Sequence, residues 1–531
     1  MISEDIRNQF KEDLKEFHEV TGQFYRKEIT VPQYKSFSGG FGSYAQRGGE
    51  RSMLRLRLPA GQVQKEQLRF IRDSIERYQI NLVHLTTCQT VQLHNLTEQQ
   101  VCSLVEEAFE HGIITRGGGG DFPRNVMCSP LTGVQEGEAF DVQLFAKAAG
   151  EYLLSLIPKV KLPRKLKVCF SNGVDNEVHA TFRDMGFVAK ENQTFDVYIA
   201  GGLGIRPKMG ILAAENVKPE DILCHIKSMV DVFTEYGNYE KRSESRSRFL
   251  QDKLTPEGLK KVYQEKLSEN LKAEELKLDR DKLHQEYKNP EVENKQMQAM
   301  QGKYAPMQET DSLSNRVICQ KQPGLYAVSY HPVGGKMEPD FVGRLYDTIS
   351  AMEGVEIRLC PTQGMYIINL NRDELENVLE LTNEDEGTIF ERSTACIGAD
   401  VCQVGIGKSQ LLLLACMERV KKEHFANGVL PAIHISGCPS SCAAHQTAAL
   451  GFRGGKKPTP EGLQDAFAIY DNGSEQSGEE RFGEELGSML EKDIPDFLVE
   501  LGRAVSEADM MYEEFRKAHP EQFMEIVKKY V

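Results

Sequence analysis

The 531-residue chain lacks the features that mark membrane-spanning and secreted proteins. No apolar run approaches the roughly 18 residues that a transmembrane helix needs, and the longest, near Leu411–Met417, is far shorter. The N-terminal residues 1–17 are charged and contain no apolar signal core. Basic residues number 64 against 79 acidic ones, and the resulting net charge of −15 argues against a general binder of nucleic acid or anionic membranes. We therefore expect a soluble, cytoplasmic protein.

The composition is typical of a folded, multidomain protein. Apolar residues make up 40% of the chain and charged residues 27%, which excludes disorder. At roughly 150 residues per domain, the length predicts about three or four domains. Four of the twelve cysteines form two close pairs, Cys396/Cys402 and Cys438/Cys442. In a long chain without a signal, clustered cysteines indicate metal binding or catalysis more than disulfides.

A long internal repeat is visible in the sequence. Residues 54–96 and 325–370 both have the pattern strand, helix, strand, turn, strand, and Gln89 in the first turn corresponds to Gln363 in the second. A repeat of this length indicates two fused, pseudo-symmetric halves and not a solenoid of short units. Chance similarity is the alternative interpretation.

A highly charged segment separates the two halves. Residues 251–300 contain 21 charged residues out of 50, a pattern that predicts an exposed helix with oppositely charged neighbours. We therefore place a linker at 251–315. The predicted domains are 1–120, 121–250, 251–315, 316–385 and 386–531. They comprise the first half of the repeat with a leader, the lobe after it, the linker, the second half of the repeat, and a cysteine-bearing lobe with C-terminal helices.

The spacing of the paired cysteines points to a metal centre. Five residues separate Cys396 from Cys402, and three separate Cys438 from Cys442. Four thiolates bind either zinc or a 4Fe–4S cluster, and the five-residue gap favours the cluster because structural zinc prefers closer pairs. Pro439 suits the first turn of a helix, whose N-terminus would stabilise the charge of the cluster. Four buried structural cysteines remain an alternative.

The C-x5-C and G-C-P-x-x-C motifs resemble the signature of the sirohaem and 4Fe–4S sulfite/nitrite reductases, and the resemblance extends over about residues 35–510. It implies that the four cysteines bind the cluster and that Cys442 also bridges it to the sirohaem iron. It implies an α+β fold with pseudo-two-fold symmetry, in which two ferredoxin-like half-domains accompany two mixed α/β lobes.

Sirohaem carboxylates and an oxyanion substrate both require cationic partners. Four candidates are Arg55, Arg124, Lys165 and Lys167, although any one of them would more often be a solvated surface residue. The resemblance implies that the arginines bind oxyanion oxygens and that the lysines bind oxygen and deliver protons. Closely packed cations lower each other's pKa, which favours the lysines as proton donors. The Lys-x-Lys pattern resembles the sulfite-reducing branch, since the nitrite-reducing branch tends to have Asn at the position of Lys167.

Other segments resemble the part of the family that binds the sirohaem macrocycle. Arginines are expected at the positions of His84 and Cys88, and neither residue is an arginine here. Two alternatives follow: the protein binds sirohaem more loosely, or it binds a modified tetrapyrrole. Cys88 itself is either a small apolar residue or a thiol at the haem edge. The residues assigned to cofactor binding by the resemblance are His84, Thr86, Cys88, Gln89, Gln92, His94, Asn125, Arg164, Asn238 and Arg242.

The sequence shows no flavin or nicotinamide domain and no ferredoxin-type cysteine module, so electrons are expected from a separate ferredoxin or flavoprotein. The leading interpretation is a six-electron reduction of sulfite to sulfide. The alternatives are reduction of nitrite to ammonia, a catalytically silent cluster-bearing scaffold, and a zinc-stabilised structural protein.

Overall fold

A computed structural model of the chain describes residues 3–306, 314–382 and 388–531. The chain forms two compact units. The small unit comprises Leu203–Arg206, His331–Lys336 and the residues from 388 onward, and the large unit comprises the other described residues. The end of the predicted linker, at 307–313, and the predicted boundary at 385 lie outside the described residues. The five-part division of the chain stays a prediction.

The secondary structure mixes helices and strands along the whole chain. The helices are α1 (Glu4–Tyr25), α2 (Val31–Ser38), α3 (Lys65–Tyr78), α4 (Glu98–Glu110), α5 (Gln143–Ser155), α6 (Ile222–Tyr236), α7 (Leu250–Leu254), α8 (Pro256–Asn270), α9 (Arg280–Tyr287), α10 (Pro290–Met300), α11 (Pro339–Ile349), α12 (Arg372–Leu381), α13 (Ser409–Lys421), α14 (Ile494–Glu507), α15 (Tyr512–Ala518) and α16 (Pro520–Lys528). None of the helices in the described parts of the chain combines the length and the apolarity needed to cross a bilayer.

The strands are β1 (Ser43–Ala45), β2 (Ser52–Arg57), β3 (Gln62–Val63), β4 (Val83–Leu85), β5 (Thr90–Leu96), β6 (Met127–Cys128), β7 (Val168–Ser171), β8 (Met185–Ala189), β9 (Phe195–Ile199), β10 (Ile211–Val217), β11 (Val317–Cys319), β12 (Tyr326–Tyr330), β13 (Lys336–Met337), β14 (Glu356–Leu359), β15 (Met365–Leu370), β16 (Thr394–Ala395), β17 (Ile433–Ser436), β18 (Leu450–Thr459), β19 (Gly462–Asp471) and β20 (Glu484–Leu490).

The sequence repeat forms two antiparallel sheets in the large unit. The first has the order β1-β2-β5-β4, and the second has the order β11-β12-β15-β14 followed by β3. Strand β3 comes from the first half of the repeat, and its Val63 pairs with Ile357 of the second. The corresponding residues Gln89 and Gln363 both adopt left-handed backbone conformations, with φ of 53° and 66°. The α+β fold with two ferredoxin-like halves is thus confirmed.

Each ferredoxin-like half is followed by a lobe with the same sheet topology. In the large unit, β6, β7 and β8 run parallel, and β9 and β10 continue the sheet antiparallel. In the small unit, β16, β17 and β18 run parallel, and β19 and β20 continue antiparallel. Gly186 on β8 and Gly451 on β18 occupy equivalent positions: a Cβ on either would lie 1.9 Å from the carbonyl oxygen of Ala180 or His445, respectively. The duplication therefore includes the lobes.

Replacing Gly186 with alanine should destabilise the large unit. The new Cβ would overlap a backbone carbonyl, which cannot move as a flexible side chain can, and we expect a cost of about 3 kcal/mol. A lower urea midpoint of unfolding would show this. The matched control is Gly455→Ala on β18, where the nearest atom would be 4.0 Å from the new Cβ. Equal midpoints for the two variants would contradict the prediction.

The charged segment after residue 250 is helical, and its longest helix is amphipathic. Leu259, Tyr263 and Leu267 of α8 are buried in the same apolar core as α6 and β8, while most of the charged side chains of α8 are exposed. The helix therefore packs on the first lobe along one face, which the charge count alone does not reveal.

Candidate functional site

The cations predicted to bind substrate lie on neighbouring segments of the large unit. Arg55 is on β2, Arg124 precedes β6 and Lys167 immediately precedes β7. Leu166 forms a parallel bridge with Pro123, and the backbone N–H of Arg124 donates to Leu166 O at 2.8 Å. This bridge places the segments of Arg124 and Lys167 side by side.

Lys165 lies on the same short extended segment. Lys165 and Lys167 flank the buried Leu166, and both are half-buried. Side chains two residues apart in an extended chain point to the same side, so we expect both amines on the side opposite Leu166.

Two guanidinium groups share one carbonyl oxygen. Nη1 of Arg55 donates to Gly118 O at 2.6 Å, and Nη2 of Arg124 donates to the same oxygen at 2.5 Å. The amide oxygen of Gln92 accepts from Nη2 of Arg55 at 2.6 Å. Burial and the neighbouring Arg55 lower the pKa of Arg124. Within the described residues, neither guanidinium has a carboxylate partner.

A third arginine, Arg57, was missed by the sequence interpretation and holds the backbone of Arg124 in place. Arg57 is 2% exposed and donates to the carbonyl oxygens of Arg116 at 2.6 Å and Arg124 at 3.1 Å. Burial, together with Arg124, lowers the pKa of Arg57 to about 9. Arg55 and Arg57 are two residues apart on a strand, so their spacing could have marked Arg57 as part of the same cationic face.

Lys167 contacts the thiol of Cys88. Its Nζ lies 3.3 Å from Sγ of Cys88, in the turn between β4 and β5. Burial raises the pKa of a thiol, but Lys167, Arg183 and Arg124 outweigh burial and lower the pKa of Cys88 to about 5. Burial lowers the pKa of Lys167, and Cys88 opposes that shift. Cys88 also packs beside the apolar Met127 and Cys169, so it contributes to the packing of this region as well.

A buried carboxylate holds Lys167 in place, and the sequence interpretation missed it as well. Asp184 is fully buried and accepts from the backbone N–H of Lys167 at 2.9 Å. Nη2 of Arg246 contacts both of its oxygens, at 2.9 and 3.0 Å, and Ser247 donates its hydroxyl to one of them. An aspartate directly before a strand is too common in sequences to signal this role.

The turn that carries Cys88 is fixed by polar side chains. Thr86 Oγ1 accepts from the backbone N–H groups of Cys88 and Thr90, both at 3.3 Å. Gln89 spans the turn, since Nε2 donates to the carbonyls of Cys128 and Leu359 and Oε1 accepts from Cys128 N. Thr86 and Gln89 thus shape the turn whatever else they contact.

Asn125, the neighbour of Arg124, binds the same turn. Its Nδ2 lies 3.0–3.2 Å from three carbonyl oxygens, those of Leu58, Cys88 and Gln89. Asn125 is 4% exposed, and its Oδ1 has no hydrogen-bond donor among the described residues. A buried acceptor left in this state favours a donor supplied from outside the protein.

The histidines of this region are interior residues. His84 and His94 are 3% and 2% exposed, and their rings meet edge to face at 6.1 Å. Nε2 of His84 lies 3.0 Å from Nε2 of Gln363, and the Gln92 amide nitrogen lies 3.1 Å from its Nδ1. The position where the resemblance expects an arginine is therefore a buried, hydrogen-bonded histidine.

Two of the remaining candidates for cofactor binding, Arg164 and Arg242, bind Asp121. Arg164 and Arg242 contact its two carboxylate oxygens at 2.7 and 2.8 Å, and they lower the pKa of Asp121 against the effect of its burial. Asn238 Oδ1 accepts from the backbone N–H groups of Glu240 and Lys241, which forms a turn. These two arginines therefore share one carboxylate, whereas Arg55 and Arg124 have none among the described residues.

The small unit brings the loops of the predicted metal ligands together. Cys396 follows β16 and Cys438 follows β17, two paired parallel strands. Sγ of Cys396 accepts from the backbone N–H of Gly437 at 3.1 Å, and Ser409 Oγ lies 3.2 Å away. The loop of Cys402 closes back on the same place, since Ile406 N and Gly407 N both donate to Gly437 O. Burial raises the pKa of Cys396.

The helix predicted after Cys438 is wrong. Residues 438–449 form consecutive turns, and Ser441 and Ala444 adopt left-handed conformations with φ of 52° and 53°. Ser441 Oγ and both ring nitrogens of the fully buried His445 have no hydrogen-bond partner among the described residues. The chemistry of the four thiols suits a cluster. As they stand, however, no three His, Cys, Asp or Glu side chains of the described residues are arranged to hold a metal ion. The four-cysteine ligand set stays a prediction.

Known proteins resemble this chain along most of its length. Residues 44–110 match the nitrite/sulfite reductase ferredoxin-like half domain, and residues 119–271 match the nitrite and sulphite reductase 4Fe-4S domain. The ferredoxin–nitrite reductase of Synechococcus elongatus is 24% identical over 473 residues, 85% of each chain. Sulfite reductase (ferredoxin) 1 of Mycolicibacterium paratuberculosis is 23% identical over 464 residues, 83% of this chain and 78% of that protein. These identities do not separate the two substrates.

A solved structure shares the fold. The Mycobacterium tuberculosis NirA protein superimposes with a TM-score of 0.77 over 98% of this chain and 97% of its own, at 20% identity. The second family match covers the first lobe, whose sheet topology the cysteine-bearing lobe repeats.

Proposed function

We propose that this chain is an oxidoreductase of the nitrite and sulfite reductase family and that it reduces sulfite to sulfide in a six-electron reaction. Sirohaem and a 4Fe–4S cluster are the cofactors of this family. The electrons come from a separate donor, which we propose to be a ferredoxin or a flavoprotein.

The cationic groups around Gly118 O carry the proposal. Arg55 and Arg124 are packed together, and no carboxylate among the described residues neutralises either of them. Burying like charges together is costly unless an anion completes the site. Arg164 and Arg242, by contrast, share the carboxylate of Asp121.

The proposed roles follow from the chemistry of each side chain. Arg55 and Arg124 would hold the oxyanion oxygens through charged N–H donors, which strengthen as negative charge builds on the departing oxygen. Lys167 would donate a proton to that oxygen, and its lowered pKa favours the transfer near neutral pH. Lys165, on the same side of the segment, would bind a second oxygen or supply the next proton.

The cofactors would be held by two different sets of residues. We propose Cys396, Cys402, Cys438 and Cys442 for the cluster. For sirohaem, Asn125 offers an unsatisfied buried acceptor, and the cationic groups suit its carboxylates as well as the substrate. When bound, the haem and the cluster supply the electrons in single steps, while the residues of this chain bind oxygen and move protons.

Nitrite is the second candidate substrate. The relatives include nitrite reductases at the same level of identity as the sulfite reductases. Lys167 also contacts the Cys88 thiol, which reduces the positive charge available to a substrate. Sulfite, which carries up to two negative charges, fits four cations better than nitrite with one, and this supports the leading proposal.

Anaerobic turnover of the iron-replete protein with a reduced dye, measured with sulfite and nitrite side by side, tests the proposal. We expect the higher kcat/KM with sulfite, and we expect Lys167→Asn to lower it by roughly 100-fold because a charged donor to the oxyanion is lost. Lys161→Asn, on an exposed lysine of the same segment, is the matched control and should change neither rate. A preference of the unchanged protein for nitrite would overturn the choice of substrate. No turnover of either substrate, in protein that contains cluster iron, would favour a scaffold.

A further inference from the structure

Cys88 lies where positive side chains meet. Lys167 Nζ is 3.3 Å from its sulfur, and the positive charges of Arg183, Arg124 and Arg55, on three other segments of the large unit, also lower its pKa. Asp184 accepts from the backbone N–H of Lys167, but its carboxylate is already bound by Arg246 and Ser247. The sulfur is therefore the group that can supply negative charge to these cations.

A second buried cysteine, Cys169, lies near the same cations, but its pKa shifts in the opposite direction. Cys169 is also buried and also feels Lys167 and Arg183, yet burial raises its pKa to about 12. Its sulfur lies 3.8 Å from the carbonyl oxygen of Met185, and its interaction with Arg183 does not outweigh its burial. The direct contact with the ammonium group of Lys167 distinguishes Cys88 from Cys169, and a neighbouring cation offsets the cost of burying a thiolate.

A separate observation indicates that a ligand binds beside this turn. Asn125 donates to Cys88 O and Gln89 O, and it is 4% exposed, yet its Oδ1 lacks a donor among the described residues. Neither Arg55 nor Arg124 has a carboxylate partner there. The surroundings of Cys88 thus offer an acceptor and two cations to a molecule that the protein does not itself supply.

We propose that Cys88 is held as a thiolate paired with Lys167 and competes with the substrate oxyanion for that lysine. The inference rests on the proposed function and adds to it an internal anion that sets the affinity of the site. When no oxyanion is bound, the thiolate balances part of the positive charge. When an oxyanion arrives, Lys167 exchanges one anion for the other, or the thiolate takes up a proton and leaves Lys167 entirely to the substrate.

The direction of the pH effect follows. Cys88 titrates near pH 5, so the site gains one negative charge as the pH rises through that region, and its affinity for an anion falls. At neutral pH the thiolate is fully formed and the competition is complete. A neutral side chain at this position should therefore bind anions more tightly at neutral pH, and the advantage should shrink toward pH 5.

The test is the affinity of the holoenzyme for nitrite between pH 5 and pH 8, measured by calorimetry without a reductant. Nitrite remains a monoanion over this range, so a change in affinity reports on the protein. We expect Cys88→Ser and Cys88→Ala to bind nitrite roughly tenfold more tightly than the unchanged protein at pH 7.5. The three curves should converge toward pH 5.

Cys169→Ala is the matched control, because it removes a neutral thiol beside the same cations and should leave the affinity unchanged. Equal affinities of the Cys88 variants and the unchanged protein at every pH would overturn the proposal. A constant difference at every pH would also overturn it, because that would reflect the size of the side chain and not its charge. The measurement needs no turnover, so a protein that reduces neither anion could still show the competition, and an active enzyme could lack it.

Discussion

Replacing Arg124 with alanine should lower kcat/KM for the preferred oxyanion by roughly 10²–10³-fold, the usual effect of removing one donor from a site that stabilises a developing oxyanion. Arg124 and Arg55 donate to the same carbonyl oxygen, so the remaining arginine would keep its position but would stabilise the charge alone. Lysine at this position should recover only part of the loss, since an ammonium group lacks the planar fork of donors. Steady-state kinetics with sulfite and nitrite would measure the effect.

A second measurement separates binding from folding. Because Arg124 lies beside Arg55 without a carboxylate partner, its removal relieves repulsion, and the variant should melt no lower than the unchanged protein in anion-free buffer. Added sulfate should raise the melting temperature of the unchanged protein more than that of the variant. The control is Arg69→Ala on α3, an arginine in a surface ion pair with Glu66, which should alter neither quantity. A large loss of stability in Arg124→Ala would contradict an anion-binding role and indicate a structural one.

The sequence predicts the duplicated architecture because the repeat is long and local. Gln89 and Gln363 occupy the same place in each turn, and the structure gives both the same left-handed conformation. The extension of the repeat to the lobes was not foreseen in detail, since Gly186 and Gly451 are ordinary glycines in the sequence. At both positions a Cβ would lie 1.9 Å from a backbone carbonyl oxygen, and only the three-dimensional structure reveals this close approach.

The sequence predicted the cations of the candidate site but not the residues that contact them. Arg55, Arg124 and Lys167 stand in recognisable motifs, and the structure places them on adjoining segments. Asp184 and Arg183 give no signal in the sequence, because their role depends on the packing of β7 against β8. Cys88 shows the limit most clearly. The sequence leaves it either a small apolar residue or a thiol at the haem edge, and the proposed thiolate depends on a contact with Lys167, 79 residues away.

The prediction of a helix after Cys438 was wrong for a related reason. Proline followed by small residues is compatible with a first helical turn, but it is equally compatible with a series of turns. The left-handed conformation of Ser441 and Ala444 turns the chain back, so the loop ends beside β18 and not along a helix axis. Any charge stabilisation of a cluster must therefore come from individual N–H groups, such as that of Gly437, which donates to Cys396.

Replacing Asp184 with asparagine should destabilise the large unit by roughly 3 kcal/mol, since it removes a buried charge and leaves its partner, Arg246, without one. Asp184 is fully buried and Arg246 is 17% exposed, so solvent can replace little of the lost attraction. The backbone of Lys167 also loses a charged acceptor, so the lysine should be held less firmly. A lower urea midpoint, together with a reduced kcat/KM, would show that the carboxylate both stabilises the lobe and positions the lysine.

Asp121→Asn provides the matched comparison for stability. Asp121 binds two arginines, as a charge-balancing carboxylate, but it is 29% exposed, and solvent can take over part of its role. The same chemical change should therefore cost about 1 kcal/mol there, as is common for ion pairs in contact with water. Equal costs at the two aspartates would show that burial does not set the strength of these pairs. A normal kcat/KM in Asp184→Asn would show that the turn of Cys88 and the strand β7, without this carboxylate, suffice to position Lys167.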